Sequence, residues 1–175
     1  VPADPNQTDR ATRWALKTPG NVCLAMGRGK LPTLCANGKP LLARDFKYGE
    51  AVKVREGSDA AILALGAMAG RAVQAAELLE RRGIHAAVYA VSCPLEIDRA
   101  ALTEAFRTGT VLTVEDHNVN SGMGRAEELG LRAAARRLGV HRYGDSGPSE
   151  EVYAAMGLSA DAIAATLEEL KKSAR

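Results

Sequence analysis

An α/β fold built on a parallel sheet is predicted by three stretches of the sequence. Residues 59–66, DAAILALG, are a nearly unbroken apolar run of strand length ending in glycine. The next stretch, GAMAGRAVQAAELLERRG (66–83), carries apolar residues at helical spacing, and IHAAVYAV (84–91) then supplies a second strand. Strand, amphipathic helix and strand in that order make a β-α-β unit, and its right-handed crossover sets the two strands near one another in one parallel sheet. On the helix, Met68, Ala72, Val73, Ala76 and Leu79 share one face while Arg71, Gln74, Glu77 and Arg81 share the other, so it covers a sheet and still meets water. Gly83 ends it.

The other elements follow in chain order. Residues 6–17, NQTDRATRWALK, read as a helix with Asn6 as N-cap, Asp9 in the first turn and Pro19-Gly20 as the stop. NVCLAMGR (21–28) reads as a short strand. From Arg28 to Phe46, glycines, prolines and isolated polar residues lack periodicity, as in a connection between domains, and a boundary is placed there. EAVKVREG (50–57) reads as an edge strand turning at Glu56-Gly57. Beyond the β-α-β unit, Cys93-Pro94 breaks the second strand, Asp98 caps a helix over 99–107, and GTVLTVED (109–116) is another buried strand. NVNSGMG is a glycine-bearing loop, RAEELG a short helix, and LRAAARRLGV (131–140) fits either helix or strand, its alanines and arginines favouring helix. Pro148 takes the first position of a further helix. Ser159 caps the last one, with Ile163, Leu167 and Leu170 as its apolar stripe and Lys171, Lys172 and Arg175 at its C-terminal end, where positive charge suits the macrodipole.

A chain of 175 residues with 46% hydrophobic residues can bury a proper core. Its 23 basic and 21 acidic residues leave a formal charge of +2, spread along the chain, which argues against nucleic acid or an anionic membrane as partner. Cys23, Cys35 and Cys93 are odd in number and widely spaced, and read as reduced thiols. No apolar run approaches the roughly 20 residues that span a bilayer. The expectation is a soluble, cytoplasmic protein. The chain opens at Val1 without an initiator methionine, so a targeting segment can precede it.

Four stretches carry polar groups suited to chemistry. The turn Gly66–Gly70 follows a strand, but it is not G-x-G-x-x-G, and Ser92 and Cys93 stand where an acid would bind a ribose; it reads as a tight strand-to-helix turn. Glu115, Asp116 and His117 finish a strand at the carboxyl edge of the sheet, where open α/β proteins place ligands. Only Glu115 and His117 share a face there, so this run alone cannot supply three metal ligands; with Asn118 it reads as a polar loop at an interface or as part of a site. Arg28, in GRGKLP, lies past a strand between two glycines and beside Lys30, either a solvated basic turn or a seat for a phosphate monoester. Gly144-Asp145-Ser146-Gly147 only superficially matches a Gly-Asp-Gly diphosphate-Mg²⁺ motif, because no asparagine follows Asn120, and it reads as a turn. His85 and His141 have no neighbours that mark them as ligands.

Taken together, PADPNQT, GRGKLP, YGEAVKVREGSDAAILALG, TVEDHNVNSGMG and YGDSGPSEEVYAAMGL resemble the C-terminal part of transketolase, in that family's order and over nearly the whole chain. The likeness is greatest to the second polypeptide of two-subunit transketolases; similar domains end deoxyxylulose-phosphate synthases and 2-oxoacid dehydrogenase beta subunits. The resemblance implies that residues 1–45 are the last helix and strand of a pyrimidine-binding domain plus a linker. Residues 46–175 would be the C-terminal domain, a three-layer α/β/α sandwich with a five-stranded, mostly parallel sheet whose first strand is antiparallel. It also makes LRAAARRLGV a strand. It implies part of an enzyme of the pentose phosphate pathway that uses thiamine diphosphate and Mg²⁺ to transfer two-carbon ketol units between sugar phosphates. In the family the groups that perform the chemistry and bind the cofactor and metal lie upstream of Val1, so this segment would be inert by itself, binding neither. Its role would be packing and contacts within a homodimer or heterotetramer. Arg28 matches the family arginine that holds the sugar phosphate. Two departures stand out: Gly29 where the family commonly has glutamine, and a helix after Gly124 that is shorter by about one turn, roughly 3.6 residues. The alternatives are part of a deoxyxylulose-phosphate synthase or of a 2-oxoacid dehydrogenase beta subunit and, from a different class, a freestanding interaction or ligand-sensing module.

Overall fold

The computed structural model describes residues 1–96, 98–120, 133–144 and 146–174. In chain order its elements are α1 (Pro5–Ala15), β1 (Cys35–Ala36), β2 (Lys39–Pro40), β3 (Ala51–Arg55), β4 (Ala60–Leu65), α2 (Met68–Glu80), β5 (Ala86–Val91), α3 (Arg99–Phe106), β6 (Thr110–Asn118), β7 (Ala134–Val140), α4 (Ser149–Ala155) and α5 (Ala160–Ser173). Five strands form one sheet in the order β3-β5-β4-β6-β7. β3 is antiparallel to β5, and every other pairing is parallel. The mixed, mostly parallel sheet with an antiparallel edge strand is the one the family resemblance implies.

The central strands are apolar on both faces because helices cover both. Strand alternation sends Ala60, Ile62 and Ala64 into a core shared with α2 and α5, including Met68, Leu79, Ile163 and Leu167. Ala61, Leu63 and Leu65 enter a second core with Leu102, Ala105 and Phe106 of α3. The sheet is thus the middle of three layers. Alanines at 72, 75 and 76, all fully buried, let α2 lie close on the sheet. Gly57 is required at the end of β3, since a Cβ there would lie 2.2 Å from both the carbonyl carbon of Ala86 and the amide nitrogen of Ala87. Asp98 caps α3 through the Ala101 N–H and also accepts the Ala51 N–H, which pins the start of the edge strand. Ser159 caps α5 through the Ala162 N–H.

Several expectations shift. The cap of α1 is Asp4, not Asn6: its Oδ1 accepts the Gln7 N–H at 2.8 Å, Pro5 takes the first helical position, and the Gln7 side chain in turn accepts the Ala3 N–H. NVCLAMGR carries no strand, because no described segment pairs with it and most of it is exposed. Inside the connection that follows sits a small hairpin of β1 and β2, turned by Asn37-Gly38, both with positive φ, a two-residue turn whose twist suits a hairpin. Pro148 is the N-cap of α4 and not its first residue. β7 is a strand against its helical propensity: the ladder to β6 runs from Thr110↔Ala134 to Asn118↔Val140, and the edge position lets Arg136 reach out to Glu169. Most of NVNSGMG, all of RAEELG, the expected short helix after Gly124, Asp145 of the Gly-Asp-Ser-Gly turn and Arg175 lie outside the described residues.

Candidate functional site

The order β5-β4-β6 places the two neighbours of β4 on opposite sides, so the chain reverses its winding between β4 and β6. Loops leaving adjacent strands at such a point diverge and leave a crevice outside their carboxyl ends, the usual ligand position in open α/β sheets. A cleft of about 880 Å³ opens there, a size that accepts a small metabolite. Its floor is the start of α2 (Ala67, Gly70, Arg71, Gln74) with Asp116 from β6. The 27–32 turn forms one wall and residues of the 144–158 segment the other.

The turn is the one that carries Arg28 and Lys30. Both line the cleft, and neither has a hydrogen-bond or ion-pair partner among the described residues. Leu34 and Pro32 seat the turn over α2: a Cβ on Gly70 would lie 3.7 Å from Leu34 Cδ2 and 3.9 Å from Pro32 Cγ. Asp4, fully buried, holds the same segment by accepting the Leu34 N–H at 3.0 Å. Gly29 also has a structural reason. A Cβ there would meet Ser149 Oγ at 3.2 Å, so the missing side chain lets the turn and the start of α4 approach.

Opposite them Arg71 lies 3.7 Å above the Tyr153 ring and hydrogen-bonds Glu150. Its side chain is only 11% exposed, whereas that of Glu150 is 85% exposed. The Arg71 Nε is buried and has no hydrogen-bond partner among the described residues. Tyr153 donates its hydroxyl to Asp116 Oδ2 at 2.9 Å. Burial first, and then the adjacent Asp116 carboxylate, push the Tyr153 phenol up to about 12 despite the opposing Arg71 charge. The tyrosine therefore stays neutral as a hydrogen-bond donor and a flat support for the guanidinium.

On the other face of β6, Glu115 and His117 share a side as the alternation requires. Glu115 is fully buried, with Oε2 2.9 Å from His117 Nε2, so it belongs to the strand interior and orients the imidazole. Asn118 ends the strand, its Oδ1 accepting the Asn120 N–H. Among the described residues no three histidines, cysteines, aspartates or glutamates lie close enough to share a metal ion. In the cleft itself, Asp116 is engaged by Tyr153 and Glu150 by Arg71, so these residues do not fit a Mg²⁺-diphosphate group. Of the sequence-derived candidates, Arg28 lies in the cleft, while Glu115 and His117 face away from it. The sequence does not mark Arg71, Tyr153 and Asp116 as a group: Arg71 falls on the solvent side of α2 by periodicity, and Asp116 and Tyr153 lie far along the chain on other elements.

A three-layer sandwich with an antiparallel edge strand and a polar cleft at its switch point, lined by Arg28, Lys30 and Arg71, defines the class as an open α/β domain. The particular family comes from comparison. Residues 49–163 match the model described as transketolase, C-terminal domain, and the chain belongs to that family. It is 32% identical to the 1-deoxy-D-xylulose-5-phosphate synthase of Heliobacterium modesticaldum, over 100% of this chain and 28% of that protein. It is 31% identical to one of the subunits of the apulose-4-phosphate transketolase of Phocaeicola vulgatus, over 98% of this chain and 56% of that one. A solved split-gene transketolase, described as an inactive beta4 tetramer, superposes with a TM-score of 0.87 at 30% identity, over all of this chain and 58% of that one. The chain thus spans between a quarter and three fifths of the length of these proteins.

Proposed function

We propose that this chain is the C-terminal portion of a thiamine-diphosphate-dependent transketolase that moves two-carbon ketol units between sugar phosphates, and that Arg28 holds the substrate phosphate. The family match carries the first part, and the observation that carries the second is a pair of cations, Arg28 and Lys30, without partners among the described residues, on a turn held in place by Asp4 and Leu34 at the mouth of the cleft. A guanidinium without a protein partner presents its fork to a phosphate, and two hydrogen bonds fix the orientation as well as the position of that group. When bound, thiamine diphosphate with Mg²⁺ supplies the carbanion chemistry, and residues outside this chain hold it. The segment by itself is inert. Its part is to bind one end of the sugar and to pack against the rest of the enzyme, as a homodimer or heterotetramer. In this reading α1 and the unpaired residues 21–27 complete a domain whose other strands precede Val1, and His117 and Asn118 lie at the contact with the remaining enzyme. Cys23 and Cys35, exposed as free thiols, suit a reducing compartment such as the cytoplasm.

The likeness to 1-deoxy-D-xylulose-5-phosphate synthases supports a second reading, in which the complete enzyme makes that product instead. Supplying the complete protein with the substrates of each reaction and identifying the product decides between them. The test of Arg28 is its replacement by alanine in the complete enzyme. A charge-assisted hydrogen bond at an exposed site corresponds to about a tenfold rise in KM for phosphorylated sugars. Turnover changes little, because the lost contact is made equally in ground and transition states. An unchanged KM removes Arg28 from the phosphate site.

A further inference from the structure

We propose that Arg71 is a second phosphate-binding residue of the cleft, exchanging Glu150 for the incoming anion. The inference rests on the functional reading above and names a residue that neither the Arg28 turn nor the apolar pattern of α2 marks out. Among the described residues three cations line the cleft, Arg28, Lys30 and Arg71, against two acids, Asp116 and Glu150. Asp116 already accepts the Tyr153 hydroxyl, which leaves Glu150 as the acid that competes for a guanidinium.

The Arg71-Glu150 pair is lopsided. The arginine is largely buried and held 3.7 Å over the Tyr153 ring, while its partner stands in solvent on the first turn of α4. Water and salt weaken the hold of an exposed carboxylate, so it is readily displaced. The stack on Tyr153 does not involve Glu150, and the guanidinium keeps its place when the carboxylate leaves. The buried Arg71 Nε, which has no partner among the described residues, is a donor that Glu150 does not use. A phosphate monoester dianion carries more charge than a carboxylate and has oxygens enough for both edges of the fork. The ligand class is therefore a small phosphorylated metabolite.

The pairing makes an unusual sign prediction. Glu150→Gln removes the competitor and is expected to tighten binding of inorganic phosphate to the complete protein, by about threefold in a calorimetric titration, the order of one screened ion pair. Arg71→Gln is expected to weaken it about tenfold, and Arg71→Lys to recover part of the loss, since the charge returns without the fork. Were the pair merely a brace for α4, Glu150→Gln would lower the melting temperature and leave phosphate affinity the same or weaker. That result overturns the inference, as does full phosphate affinity in a folded Arg71→Gln protein. Arg28→Ala separates the two ideas. If it raises KM for phosphorylated sugars while the Arg71 and Glu150 variants leave phosphate binding unchanged, the functional reading stands and the role of Arg71 falls; if Arg28→Ala also has no effect, both fall.

Discussion

Replacing Asp4 by alanine removes one buried side chain that serves two segments 30 residues apart. Its Oδ1 caps α1 through the Gln7 N–H and its Oδ2 accepts the Leu34 N–H, at 2.8 and 3.0 Å. Loss of an aspartate N-cap costs about 1 kcal/mol. The Leu34 N–H, within a buried residue, is left without this acceptor, a further cost of about 1–3 kcal/mol. Because one side chain makes both bonds the terms are not independent, and about 3 kcal/mol is the expected total. The loss should also reach function: Leu34 and Pro32 seat the Arg28 turn on Gly70, so a released Leu34 loosens the turn and raises KM for phosphorylated sugars in the same direction as Arg28→Ala, though less. The assay is hydrogen exchange in the complete protein, read on peptides covering 4–12 and 30–36, beside chemical denaturation. Both peptides should exchange faster in Asp4→Ala. Asp4→Asn keeps an oxygen for the cap but turns an amide group toward the Leu34 N–H, so it should accelerate mainly the 30–36 peptide. Unchanged exchange over 30–36 in both variants would refute the claim that Asp4 holds the turn.

Gly57→Ala sets a Cβ 2.2 Å from two backbone atoms of β5, which cannot rotate away; a loss of more than about 3 kcal/mol in chemical denaturation is expected, beyond ordinary overpacking. By contrast Gly83→Ala, with nothing within 4 Å but φ at +76, should cost only about 1–2 kcal/mol, the penalty of the left-handed conformation. Tyr153→Phe removes the hydrogen bond to Asp116 and should lower stability by about 1 kcal/mol near neutral pH. Its pH dependence has a definite sign. The folded phenol is pushed up to about 12, whereas an unfolded tyrosine titrates near 10, so between these values the unfolded chain has lost a proton that the folded one keeps. The stability contributed by this group is complete below about pH 10 and disappears as pH rises through about 12, so the advantage of wild type over Tyr153→Phe, followed by denaturation at stepped pH, should shrink across that window; a constant difference would contradict it.

What the sequence reveals in advance depends on how local the cause is. β4, β5 and β6 are legible because strands covered on both faces are apolar throughout, and α2 because its burial has a helical period. Asp98 and Ser159 are legible as caps because each bonds an N–H three residues on. At α1 the helical pattern points to Asn6, although Asp4-Pro5 carries the stronger signal, an N-cap residue directly before a proline. The Asn37-Gly38 hairpin escapes the pattern because its strands have two residues each and no apolar alternation. β7 needs the family resemblance, since pairing with β6 overrides the propensity of Ala134, Ala135, Arg136 and Arg137 for helix. Arg28 likewise stands out through the resemblance and not through its own surroundings. The Arg71-Tyr153-Asp116 arrangement is not legible at all: it joins the first turns of α2, the end of β6 and α4, and nothing in the period of any one of them points to the other two.

The same arrangement also fixes how α4 is held at the wall of the cleft. Its seven residues include none that is fully buried, although the Tyr153 ring packs against the core. Polar contacts tie it to the cleft: Arg71 to Glu150, Arg71 over the Tyr153 ring, Tyr153 to Asp116, and the approach of Ser149 to the space left by Gly29. Each of them ends on a group that lines the cleft. A glutamine at 29, the family's common choice, would fill the space that Ser149 approaches and push α4 and the Arg28 turn apart. The glycine therefore trades a side chain next to Arg28 for a second wall brought close to it. A cleft closed by such a wall can use cations from both sides, Arg28 from the linker and Arg71 beneath α4. Any anion that draws Arg71 from Glu150 removes one of these ties, so binding in the cleft and the seating of α4 are linked, and linkage of that kind acts equally in both directions.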